Sequence, residues 1–209
     1  MKQIISSLAC IMLLASCSKN VKKILIFSKG KATVNTEAKT ITVDNSSGHE
    51  EQTVEFNTAD KLTLQVKSQA GEASIEIPTN GFYVLNLKSD TTLGSFQNYG
   101  AVGDRKTSFT QDDIKQQVDS LQQLIANQNV SAAKRNFYLL PNTGTKISDN
   151  LDAFVVGPYH QMTSVEKEEG KTPEVYRFFS IGEVREKLNK AIALTVGKKA
   201  EDAAPEKKK

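Results

Sequence analysis

His49 and His160 are the only histidines in the chain, and imidazole suits both proton transfer and metal ligation. His49 precedes Glu50 and Glu51, but Thr53 stands where a second imidazole would complete His-Glu-x-x-His. That spacing would put two nitrogens on one helix face over a zinc ion. His160 follows Pro158-Tyr159 at the end of an expected strand. A structural or solvent-facing role is the default for both, and an enzyme would need a cleft bringing one of them against a carboxylate. Neither Gly-x-Ser-x-Gly nor Gly-x-x-x-x-Gly-Lys-Ser/Thr occurs. Gly100-Ala101-Val102-Gly103-Asp104 follows a polar stretch and does not open a helix directly, so it reads as a linker rather than a phosphate loop. Asp112 with Asp113 reads as a helix start, and Asp149 with Asp152 as a turn. No catalytic residue, metal ligand or cofactor is expected from these patterns.

Aromatic side chains are the softer clue. Phe82, Tyr83, Phe96, Tyr99, Phe137, Tyr138, Tyr159, Tyr176, Phe178 and Phe179 could line a groove for a sugar or peptide. Most lie in segments expected to be strands, where core packing is the default. The chain has no Trp, which weighs against a carbohydrate site.

The N-terminal run carries the sharpest functional signal. Behind basic Lys2, residues 4–15 are mostly apolar, too short for a membrane span of about 20 residues. The run ends in Leu14-Ala15-Ser16-Cys17 and breaks into Ser18-Lys19-Asn20. This motif resembles the lipobox of bacterial lipoprotein precursors. The resemblance implies cleavage before Cys17, a thioether-linked diacylglycerol on its sulfur, and an acylated amine. Several acyl chains hold far more firmly than the single chain that gives only marginal binding. Cys10 is a weaker candidate, because Ser7 stands where an aliphatic residue is wanted and little apolar sequence precedes it. By the same resemblance, Ser18 in place of Asp implies the outer membrane, and Lys19-Asn20, which is not acidic, implies a body facing the periplasm.

Composition narrows the remainder. Cys10 and Cys17 are the only cysteines, so the expected mature chain forms no internal disulfide and its core rests on packing. The formal charge of +3 comes from Lys2 and from a tail, residues 198–209, with five Lys against Glu201, Asp202 and Glu206. The body between is formally neutral, which argues against nucleic acid as a partner, since counterion release needs a basic stripe.

The elements that must position any site follow from hydrophobic period. Residues 22–88 alternate with period two in Thr40-Ile41-Thr42-Val43, Thr53-Val54-Glu55-Phe56, Leu62-Thr63-Leu64-Gln65-Val66 and Ser74-Ile75-Glu76-Ile77. Ile24-Leu25-Ile26-Phe27 and Phe82-Tyr83-Val84-Leu85-Asn86-Leu87 are continuous apolar runs. Gly, Asn and Ser clusters separate them, so six or seven short strands are predicted as an antiparallel β-sandwich or barrel-like module. Residues 89–109 read as a connector punctuated by Gly94, Gly100 and Gly103.

Residues 110–197 predict a small α+β layer with two amphipathic helices. The first has Thr110 as N-cap and the stripe Ile114, Val118, Leu121, Leu124 and Ile125, ending near Asn127 and Asn129. The second has a Ser180/Glu183 capping box, the stripe Ile181, Val184, Leu188 and Ile192, and Gly197 as its stop. Strands are predicted at 136–140, 153–156 and 175–179, a weaker one at 145–148, and an exposed hairpin tip at 162–173.

The fold class is therefore α+β: signal 1–16, anchor linker 17–21, β-rich module 22–88, connector 89–109, α+β module 110–197 and a disordered basic tail 198–209. The leading functional expectation is an acyl-anchored envelope lipoprotein, attached to the membrane through Cys17, with a non-enzymatic structural role or an envelope protein partner. The alternative is a binding module for a small molecule, sugar or peptide. A hydrolytic enzyme comes third. A broad exposed apolar patch would favour the first, and a concave pocket with an aromatic wall and convergent polar groups the second.

Overall fold

The computed structural model describes residues 20–97, 111–131, 133–158, 160 and 173–202. Thr110, residues 98–109 of the expected connector and residues 162–172 of the expected hairpin tip lie outside them, as do Lys2, Cys10 and Cys17.

The two continuous apolar runs become the centre of the molecule. They are β1 (Val21–Lys29) and β7 (Gly81–Leu87), which pair in parallel with Ile24 opposite Tyr83 and Ile26 opposite Leu85. All seven residues of β7 are buried. A strand covered on both faces has no polar side, hence the loss of alternation. β4 (His49–Asn57) flanks β1, and β10 (Thr143–Ser148) flanks β7, giving the order β10-β7-β1-β4.

The alternating segments form a second sheet against one face of the first. Its strands are β2 (Ala32–Asn35), β3 (Thr40–Val43), β5 (Leu62–Ser68) and β6 (Gly71–Ile77), in the order β2-β3-β5-β6. Ile41, Leu62, Leu64, Val66 and Ile77 meet Ile24, Ile26, Tyr83, Leu85 and Leu87 in one core, while Gln65, Lys67, Glu72 and Glu76 are exposed.

A third sheet covers the other face. It comprises β8 (Thr92–Gln97), β9 (Asn136–Leu139), β11 (Phe154–Val156) and β12 (Val175–Ser180), in the order β11-β12-β8-β9. Phe137, Leu139, Tyr176 and Phe178 form a second core with Leu25, Phe27, Phe82 and Val84. The rings of Phe27 and Phe178 lie 5.5 Å apart. Gly94 makes this possible, because a Cβ there would overlap the Phe178 ring.

The outer face of the third sheet carries the helices. α1 (Gln111–Ile125) packs on α2 (Ile181–Asp202), and α2 packs on β12 and β8. Of the α1 stripe, Ile114 is buried and Val118, Leu121, Leu124 and Ile125 are half-buried. β12 runs directly into α2 through the predicted capping box: Glu183 N–H donates to Ser180 Oγ at 3.1 Å, and Ser180 N–H donates to Glu183 Oε2 at 2.7 Å.

The α+β class holds, with sheets that do not close into a barrel. Several details differ from expectation. The front strands are not all antiparallel: β1–β7 and β3–β5 are parallel. Parallel neighbours need a long crossover, and here the second sheet itself forms most of the β1-to-β7 crossover. The stretch read as a connector supplies β8, whose Thr92, Leu93 and Gly94 are buried. Hydrogen bonding also crosses the expected join, since β10 pairs with β7. α2 continues past Gly197 to Asp202. One helical glycine costs about 1 kcal/mol, which the helix formers Lys198, Lys199 and Ala200 beyond it offset. β2 escaped notice, having only Ala32 and Val34 as apolar residues.

Candidate functional site

Three polar loci emerge, and their surroundings separate them. In the first, His160 Nδ1 lies 2.9 Å from Glu51 Oε1 on the edge strand β4. A Cβ at Gly157 would overlap the Glu51 carboxylate and displace it from this position. The Glu51 side chain is 26% exposed, though its backbone lies at the open sheet edge. Burial pushes its pKa up, and the charge and hydrogen bond of His160 oppose that. His49 is held below the usual histidine range by burial and then by the charge of Lys88. The pair supplies the contact with a carboxylate but not the cleft, since the adjoining void lined by Phe27, His49, Glu51 and Pro158 is only about 10 Å³. That admits about one water molecule and no substrate. Among the described residues no group of three or more His, Cys, Asp or Glu is placed to hold a metal ion.

The second locus is a closed latch. Glu174 Oε1 accepts from Arg135 Nη2 and from the Tyr176 hydroxyl, both at 2.6 Å, and Oε2 accepts from Ser148 Oγ at 2.9 Å. Burial works to raise the Glu174 pKa, but the hydrogen bonds from Tyr176, Ser148 and Asn150 and the charge of Arg135 outweigh it and hold the carboxyl low. Burial and then Glu174 push the Tyr176 phenol up to about 12. Arg135 also stacks 4.2 Å over the Phe96 ring. Each carboxylate oxygen has a partner, so the latch ties β10, β12 and the turn before β9 together.

The third locus is a cavity of about 390 Å³ between the helices and the outer face of the third sheet. This lies within the range of small-molecule sites, about 300–1,000 Å³. Alternation builds its floor: Arg177 lies opposite Ser95, and Phe179 opposite Leu93, on the face turned from Tyr176 and Phe178. Gln97 and Asn136 extend the polar wall from β8 and β9, Leu121 and Leu124 come from α1, and Val184 and Lys187 come from α2. Lys187 Nζ sits 3.6 Å from the Phe179 ring centre, and the Arg177 guanidinium carbon 4.8 Å from it. Arg177 Nη2 donates to the His160 carbonyl at 3.0 Å, while its buried Nε has no hydrogen-bond partner. Burial, and then Arg177, lower the Lys187 pKa, with Glu183 opposing.

The expected aromatics divide accordingly. Tyr83 belongs to the first core, and Phe82, Phe96, Phe137, Tyr176 and Phe178 to the second. Tyr138 is half-buried, Phe179 lines the cavity, and Tyr99 and Tyr159 lie outside the described residues. Asp149 is a turn residue paired with Lys146 at 2.6 Å, and Asp152 is exposed in the same turn region. Asp112 is exposed on the first turn of α1, and the side chain of Asp113 lies outside the described set. Sequence reasoning missed Arg177, Lys187 and Gln97. The available signal was Arg177-x-Phe179, a cation and an aromatic on one strand face.

No family model matches the chain, and neither a curated protein nor a solved structure matches it.

Proposed function

We propose that this chain is an acyl-anchored envelope protein, tethered through Cys17, whose body binds a small molecule in the cavity between the third sheet and the two helices. The cavity carries the reading: it is concave, has Phe179 in its wall, and gathers amide, hydroxyl and cationic groups from β8, β9, β12, α1 and α2. The lipobox resemblance at Leu14-Ala15-Ser16-Cys17 supports the anchor. A role through protein contacts alone is supported less, since the large exposed apolar residues among those described stand at separate places, Leu140 just after β9, Phe154 on β11 and Ile192 on α2. In this reading the protein holds its ligand and does not transform it.

The test uses a filled cavity. Ser120 is exposed on α1 and lines the cavity, so Ser120→Trp should occupy the space without disturbing either core. A thermal-shift screen of small metabolites against the mature protein should find stabilising compounds whose effect disappears in Ser120→Trp. A ligand at about 100 times its Kd adds about 2.7 kcal/mol. Stabilisation that persists in Ser120→Trp, or a silent screen, contradicts the proposal.

A further inference from the structure

We propose that the cavity takes an anionic ligand, one bearing a carboxylate or phosphate group held between Arg177 and Lys187. This deepens the reading of the cavity as a ligand site and rests on it. Both cations converge on Phe179, at 4.8 Å and 3.6 Å from the ring centre, and no Asp or Glu is among the described lining residues. Among the described residues, no carboxylate forms an ion pair with either cation. Two cations against one ring repel each other, and the Arg177 charge works to lower the Lys187 pKa.

Hydrogen-bond satisfaction points the same way. A buried guanidinium N–H without an acceptor costs free energy that folding alone does not recover. Arg177 Nε is such a group, while the same guanidinium is fixed by Nη2 on the His160 carbonyl. Arg177 lines the cavity, and a guanidinium held in place by one bond suits the oxygens of a carboxylate or phosphate. The Gln97 amide and the Ser95 hydroxyl lie on the same wall, already joined at 2.9 Å, and offer further polar contacts.

The experiment follows the Arg177 Nε–H signal by NMR in the mature protein at low salt, with three probes: inorganic phosphate, succinate and neutral succinamide. Phosphate, succinate or both should move that signal saturably, and which of them does so identifies the class of oxyanion. Lys187→Gln, at an exposed position on α2, should weaken binding about tenfold or more, as removal of a charged hydrogen-bond partner does. Arg177→Gln should abolish the response, read on neighbouring cavity signals. Lys190→Gln, whose partner is Glu186 at 2.6 Å, should leave binding unchanged and so controls for net charge. Succinamide binding as well as succinate, with no loss in Lys187→Gln, overturns the anion inference and leaves the ligand-site reading standing. Silence from all three probes also overturns it, and the ligand-site reading then falls only if the metabolite screen is silent too.

Discussion

Glu51 and His160 meet at 2.9 Å across the edge of the central sheet, although neither has a local sequence signal that pairs it with the other. Gly157 leaves the room, and burial acts against the Glu51 charge while His160 offsets part of that effect. The burial of Glu51 makes folding depend on pH in one direction. The pKa of Glu51 is raised above its ordinary 4.5, so the folded state binds its proton more tightly than the unfolded state does. Its contribution is most favourable below the unfolded pKa and is lost as pH rises through the higher folded value.

Glu51→Gln keeps an acceptor for His160 and removes the titration. The variant should gain stability relative to the parent as pH rises above about 4.5, and show no gain below it. Denaturant midpoints from pH 3 to pH 8 would show this. A gain that is largest at low pH would contradict the assigned cause.

Gly94 should tolerate no side chain. Gly94→Ala places a methyl group in the ring of Phe178, and overpacking of this kind costs about 1–3 kcal/mol. Phe178→Leu in the same chain should recover part of that cost, giving a coupling that a double-mutant cycle measures. Additive losses would mean that the Gly94–Phe178 contact does not set the fit of the third sheet.

The two leucines at the centres of the expected modules should respond unequally. Leu64 is fully buried in the first core, and Leu64→Ala should cost about 2–5 kcal/mol. Leu121 is half-buried and lines the cavity, so Leu121→Ala should cost clearly less. The two losses should add, because the residues belong to separate packing regions. Equal losses would contradict the cavity.

What was legible in the sequence was local. The Ser180/Glu183 box and the alternation of Leu62, Leu64 and Val66 each rest on neighbours a few residues away, and both appear as expected. Long-range pairing was not legible. Ile24 and Tyr83 sit side by side only because a whole sheet folds between them. β8 was hidden because its value lies in being small beneath Phe178, and a glycine in a polar stretch reads as a linker. The cavity was hidden for the same reason: Arg177 and Lys187 come from a strand and a helix that share no spacing rule.

The anchor is tested at one atom. On the proposed anchor, Cys17→Ala should abolish acyl labelling and release the protein from membranes. Labelling that survives would move the anchor to Cys10 or remove it. With the anchor intact, protease added to whole cells should spare the body if the proposed outer-membrane, periplasm-facing placement holds. Rapid cleavage would place it on the cell surface.

The central claim is that the cavity beneath α1 and α2 holds a ligand. Native mass spectrometry of the protein extracted from its own envelope measures this directly. The parent protein should carry a small additional mass that gentle activation removes, and Ser120→Trp, prepared identically, should lack it. Equal masses for parent and variant, once the substitution itself is allowed for, would contradict the account.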